Sequence, residues 1–165
     1  MNQNDSLKWY QDHTAEFIAR TADVDMTPHY SRFLEQVVPG GRILDLGCGA
    51  GKASLYFTQK GYQVLAVDGC QELCDFTHRR VGCPVRHMFF EELDYIDAFD
   101  AVWACASLLH VCKADLPGIF CRIHRALTET AGGFRITDMW LTRDARPDRQ
   151  DESWVNMFCV AEKAE

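Results

Sequence analysis

The sequence predicts an α/β protein, a doubly wound and mostly parallel sheet between two helical layers, and three neighbouring observations carry that reading. Ile43, Leu44 and Leu46 form a short apolar run that stops at Gly47, with glycine again at Gly49 and Gly51. Such a run, bounded by glycine, is the pattern of a buried strand. ASLYFTQK follows, closed by Gly61 in the C′ position, the pattern of a helix of about two to three turns. A second apolar strand, Gln63 to Val67, then ends on Asp68. Strand, glycine turn, helix, strand and acid make one half of a doubly wound nucleotide site.

The other elements follow in chain order. Residues 1–6 are polar and predict a frayed end. Leu7, Tyr10, Thr14, Phe17 and Ile18 share one face of a helix over Leu7 to Thr21. After a polar link, Thr27 as N-cap and Pro28 at the first helical position start a second helix, whose face holds Tyr30, Phe33, Leu34, Val37 and Val38. Pro39-Gly40-Gly41 stops it. Beyond Asp68, Gly69 to Arg80 predicts a crossover helix, and Pro84 begins the strand VRHMFF. Phe99 to Val111 (FDAVWACASLLHV) is apolar and rich in small residues, a fully buried parallel strand that opens into a loop at Ala104 to Ser107. Leu116, Ile119, Phe120, Ile123 and Leu127 face one way on a helix that admits Pro117 in its first turn. Phe134 to Leu141 predicts a strand, charged Thr142 to Ser153 a loop, and Trp154 to Ala161 a last, antiparallel strand.

The residues at the ends of these strands point to a nucleoside ligand. Glycine at Gly47, Gly49 and Gly51 lets backbone approach a ligand where a Cβ would intervene. A carboxylate at Asp68 can accept both hydroxyl protons of a ribose. Lys52 stands where a dinucleotide fingerprint has its third glycine, which argues against an NAD-dependent oxidoreductase. Ligands lie outside the carboxyl ends of parallel strands, so Ala104 and Cys105 face the same side. His110 is either a base working near neutral pH or a structural histidine.

Composition narrows the partners. A chain of 165 residues with 47% hydrophobic and 25% charged residues predicts a single soluble domain. A formal net charge of -7 argues against nucleic acid and anionic membrane as partners and suits a small molecule. MNQNDSLKWY lacks the basic start and apolar core of a signal peptide, so a cytoplasmic location is expected. Eight cysteines occur without a C-x-x-C pair. Cys70, Cys74 and His78 share a helix face, but spacing places no fourth ligand, and no metal is expected. Cys105 and Cys112 lie near the expected site and are candidates for redox sensitivity.

With Asp45 two residues ahead of Gly47, DLGCGAG resembles motif I of class I S-adenosylmethionine-dependent methyltransferases, which have a Rossmann-like fold. Together with WYQDHTAEFIARTADVDMTPHYSRFL, FDAVWACASLLHV and TRDARPDRQDESWVN, it resembles a group of small bacterial methyltransferases related to the tellurite-resistance type. The resemblance implies S-adenosylmethionine as cofactor, bound among Tyr10, Asp45, Gly47, Cys48, Gly49, Gly51, Asp68, Gly69, Ala104 and Cys105, with Phe90 and Glu91 beside the adenine. It implies in-line methyl transfer to a small acceptor, with residues 1–40 as a helical lid carrying Trp9, Tyr10, His13, Phe17 and Arg20, although the apolar face of an amphipathic helix accounts for the aromatics equally well. A soft acceptor needs little base, whereas an oxygen acceptor would call on His110 or His13. Arg143, Arg146 and Arg149 form a basic run, either solvated or facing an anionic substrate.

The chain departs from this group after Ala126, where HRAL runs through TETAGG into FRITDMWL. A βα unit of several dozen residues is missing there, by deletion or by the joining of two segments. In a true deletion Phe134 to Leu141 is expected to take the vacated place beside the fourth strand. The substrate side would be open, and the alternative function is a non-catalytic module that binds S-adenosylmethionine or S-adenosylhomocysteine.

Overall fold

The computed structural model describes residues 3–127, 134–143 and 153–161, with residues 3–5 and the last two stretches described by their backbone. In chain order the elements are α1 (Gln3–Asp12), α2 (Thr14–Ala22), α3 (Thr27–Leu34), β1 (Arg42–Leu46), α4 (Lys52–Gln59), β2 (Gln63–Asp68), α5 (Gln71–Val81), β3 (Val85–His87), β4 (Ala101–Ala104), α6 (Leu116–Ala126), β5 (Phe134–Arg143) and β6 (Ser153–Ala161). They build one sheet in the order β3-β2-β1-β4-β6-β5. β1 to β4 are parallel, β6 runs antiparallel to β4, and β5 is antiparallel to β6. The strand order reverses at β1, between β2 and β4, the switch point where such sheets take their ligands.

Alternation along the strands divides the core. Ile43, Val64, Ala66, Ala101 and Trp103 point to the layer that holds Tyr30 and Phe33 of α3 and Phe57 of α4. Leu44, Leu46, Val67, Val102 and Ala104 point to the opposite layer, against Ile119, Ile123 and Ala126 of α6. Both faces of β1 and β4 are therefore covered, which explains why β4 is apolar throughout and β1 is apolar but for Arg42 and Asp45. In the first layer Tyr30, Phe33 and Trp103 surround Phe57 with ring centroids 5.3 to 5.5 Å away.

Several expectations are corrected. Helix begins at Gln3 rather than after a frayed end. The single helix over Leu7 to Thr21 is two, broken at His13, where φ is -125°. The cause is local: the Thr14 hydroxyl donates to the Tyr10 carbonyl at 2.7 Å, a back-bond that bends helices. Thr27 does not cap α3; Met26 holds the cap position, and the Thr27 amide donates to the Asp25 carboxylate at 2.9 Å. β5 does not lie beside β4. That place belongs to β6, whose Met157 to Val160 pair with Ala104 to Ala101. An internal strand must be apolar on both faces, which Val155, Met157, Phe158, Cys159 and Val160 suit. Arg135, Asp138 and Arg143 fit β5 to the edge. Arg146 and Arg149 lie outside the described residues.

Asp45 is the one acid in this core among the described residues, 1% exposed and pointing toward α4, where the Ser54 hydroxyl donates to its carboxylate. Burial pushes its carboxyl up to about 7, the Ser54 hydrogen bond offsets part of the rise and the Asp68 charge adds to it. The folded protein thus keeps a proton between the ordinary value of 3.8 and about 7 that the unfolded chain has lost. This residue's contribution to stability is full below the unfolded value and is lost as the pH rises toward the folded one. Asp45→Asn should abolish a fall of about 3 to 4 kcal/mol across that window. Urea unfolding from pH 4 to pH 8 measures it, and parallel profiles for wild type and variant would refute it.

Candidate active site

The glycine turn after β1 is fastened to both neighbouring strands. The amides of Gly47 and Cys48 both donate to the Val67 carbonyl at 2.9 Å. Gly47 has φ 82°, and a Cβ there would stand 2.3 Å from Cβ of Ser107. Ser107, buried just beyond β4, donates from its hydroxyl to the Leu46 carbonyl at 2.7 Å. Gly47 is therefore glycine for two reasons, left-handed backbone and the close approach of β4's end. Ala106, beside Ser107, also has a positive φ of 53°. Gly51 caps α4 in the left-handed region, packed on Thr77 of α5.

Asp68, at the tip of β2, closes the other side. One carboxylate oxygen accepts the Gly49 amide at 2.8 Å and the other the Cys70 amide at 2.9 Å. Burial raises its carboxyl above the ordinary range, while the Cys70 and Gly49 amides pull it back. His87, paired with Asp68 across the β2–β3 register, donates from Nε2 to the Gly69 carbonyl at 2.9 Å. The Cβ-less edges of Gly49 and Gly69 both face the N-terminal helices. At Gly49 the space a Cβ would enter is bounded by the Phe17 ring at 3.2 Å, and at Gly69 by Leu7 at 2.9 Å and Phe89 at 3.2 Å. Phe90 lies 3.6 Å from the corresponding point at Gly47.

On the β4 side, the Tyr10 hydroxyl lies 3.1 Å from Nε2 of His110, whose ring it meets edge-on at 5.4 Å. Burial lowers the His110 pKa, which favours the neutral imidazole. Ala104 is buried, and the half-buried Cys105 thiol is pushed up to about 12 by burial and then by the Asp45 charge. A thiol with that pKa is no nucleophile at neutral pH. Burial also raises the Cys48 thiol.

Tyr10, Gly47, Gly49, Asp68, Gly69, Phe90 and His110 thus lie where the N-terminal helices cross the ends of β1, β2 and β4. Asp45 and Cys48 lie beneath them, buried. His13 is elsewhere: it is exposed, stacked on Trp9 with ring centroids 4.8 Å apart, its Nδ1 2.9 Å from the Trp9 carbonyl. Glu91 is exposed on a 3-10 turn whose amide at Phe89 is held by Glu92. Cys74 is buried whereas His78 is exposed, and no group of three or more His, Cys, Asp or Glu able to hold a metal gathers among the described residues. No helix among them is long and apolar enough to cross a membrane. Two contacts around the site escaped the sequence reading. Ser107 had only its polarity in an apolar run as a signal. Lys52 counted as a missing glycine rather than as a contact.

The family model for a methyltransferase domain matches residues 43–130, from β1 through α6. The chain is 31% identical over 141 residues to the putative methyltransferase YqeM of Bacillus subtilis, covering 76% of this chain and 57% of that protein. It spans about half the length of the curated relatives it matches. An S-adenosylmethionine-dependent methyltransferase structure from Mesorhizobium loti aligns with TM-score 0.56 and 27% identity, over 65% of this chain and 50% of that one. A TehB-like methyltransferase from Corynebacterium glutamicum aligns with TM-score 0.63 over 97% of this chain and 98% of that one, at 18% identity, a likeness of fold alone. More than half of the sequence, including every strand that borders the cleft on its parallel side, matches one family, and the chain belongs to the methyltransferase domain family.

Proposed function

We propose that this chain binds S-adenosylmethionine in the cleft between the N-terminal helices and the ends of β1, β2 and β4, and transfers its methyl group to a small molecule. The observation that carries the reading is the pairing of the Asp68 carboxylate with the Gly49 amide at 2.8 Å, between two glycines whose Cβ-less edges face the cleft. The residues present fit the donor. Each Asp68 oxygen spends one lone pair on a backbone amide and keeps another for a ribose hydroxyl. Leu7, Phe89 and Phe90 supply apolar flanks for a purine.

When bound, S-adenosylmethionine supplies a methyl group already activated on a sulfonium. The chain's own work is then orientation, worth up to about 7 to 11 kcal/mol where reacting atoms are well aligned. Asp68 fixes the nucleoside, Gly47 and Gly49 admit it against bare backbone, and Tyr10 and Phe17 keep water from the cleft. Nε2 of His110 faces the Tyr10 hydroxyl, and through that hydroxyl it could take a proton from an oxygen or nitrogen acceptor. A soft acceptor, such as a thiol or a selenium or tellurium oxyanion, would bypass it.

Two measurements follow from these roles. Calorimetry should detect binding of S-adenosylmethionine and S-adenosylhomocysteine but not of NAD, and Asp68→Ala should weaken both by about ten- to a hundredfold, the worth of one or two charge-assisted hydrogen bonds. Unchanged affinity in a folded variant would overturn the assignment of Asp68. For any proton-bearing acceptor that accepts labelled methyl, the acid limb of the pH profile should fall below the ordinary histidine value of 6.5 and vanish in His110→Ala. A limb that persists in the variant would remove His110 from the reaction.

A further inference from the structure

Lys52 stands at the first position of α4, directly after the glycine turn, yet its ammonium turns away from the cleft. It donates to three backbone carbonyls, of Thr21 at 2.8 Å, Ala22 at 3.0 Å and Val24 at 2.5 Å. Those carbonyls are the end of α2 and the start of the link to α3, where a helix leaves acceptors unpaired and its dipole is negative. One side chain of the body therefore reaches three carbonyls at the end of the N-terminal segment, and the Thr21 carbonyl also accepts the Val24 amide at 3.3 Å. The same helix, α2, carries Phe17 one turn earlier, the residue that lies over Gly49. An open depression runs alongside the link, lined by Val24, Met26, Tyr56 and Gln59 among others, and Val24 is 50% exposed. The link is thus packed on one side only.

The N-terminal helices are held by two unlike attachments. Over the cleft the contacts are apolar or aromatic, Leu7 at Gly69, Phe17 at Gly49 and Tyr10 at His110. Each of these must give way for a nucleoside to enter. At the far end the attachment is a charge against carbonyls, and it shares no residue with the contacts over the glycine turn. We propose that Lys52 is a positioning residue, a pivot that holds the end of α2 so that Phe17 and Tyr10 return to the same place over the bound methyl donor. It touches neither donor nor acceptor and acts through α2. This inference rests on the proposed function, since a pivot matters only if the cleft admits a ligand.

The test compares wild type with Lys52→Met, which keeps side-chain length and helix propensity, and Lys52→Arg, which restores the donors. In ligand-free protein, amide exchange over Thr14–Ala22 should rise about tenfold or more in Lys52→Met while β1 and β4 amides stay as in wild type. The dissociation rate of S-adenosylhomocysteine, followed by stopped flow, should rise about tenfold in Lys52→Met and return to within about threefold of wild type in Lys52→Arg. Unchanged exchange over α2 in Lys52→Met overturns the pivot whether or not a ligand binds. Faster exchange with an unchanged dissociation rate overturns its role in holding the donor. Wild-type protein that binds no S-adenosylhomocysteine refutes the proposed function instead, and the exchange result then decides the pivot alone.

Discussion

The hydrogen bond from the Gly49 amide to the Asp68 carboxylate ties together the two things this structure must hold in register, a turn without side chains and an acid on the neighbouring strand. Without it, three glycines in five residues would be free to sample both halves of φ space, and the entropy of fixing them would count against folding. The amides of Gly47 and Cys48 on the Val67 carbonyl add two more restraints from the same strand. β2 is therefore the template on which the turn is laid. The turn in turn sets where α4 begins, with Gly51 in the left-handed region as its cap.

From the other side, β4 imposes a constraint of volume rather than of hydrogen bonding. Ser107 fills the space beside Gly47 so closely that any side chain there would overlap it, and its hydroxyl satisfies the last carbonyl of β1. The turn is thus clamped between a donor–acceptor pair on β2 and a steric stop after β4, at the point where the strand order reverses. The positive φ of Ala106 sits in the same few residues. Backbone held in a sparsely populated region persists where surrounding contacts over-determine it, and here they do.

The parts of the fold that could be read from the sequence are those in which one local cause dominates. Apolar runs bounded by glycine placed β1 and β2 to within a residue, because a strand buried on both faces tolerates few polar positions. Spacing alone placed the apolar face of α6. The errors lie where a side chain competes with the backbone or where strands compete for a place in the sheet. Thr14 takes the Tyr10 carbonyl and splits a helix whose apolar periodicity is continuous across the break. Asp25 reaches the Thr27 amide from two residues away, and Met26 rather than a good N-cap residue holds the cap position. The choice between β5 and β6 for the place beside β4 is a comparison of two segments, which neither segment's own pattern states. At the site, glycines and Asp68 were legible because their chemistry needs few partners. The separation of His110 from His13 was not, since it follows from Tyr10 reaching across about a hundred residues of chain.

The arrangement at Asp68 also bears on how a ligand would be held. An acid that had to shed water only when the ligand arrived would lose much of its binding energy to that step. Here the carboxylate is already turned inward and pinned by two amides at folding, so its orientation is fixed beforehand. The price appears in its raised carboxyl pKa and in that of Asp45 beneath it. Burial is the main cause at both, and the Asp68 charge adds to the rise at Asp45. The site is therefore built against an electrostatic cost that burial sets, and at Asp68 the two backbone amides that fix its orientation are also what offsets it.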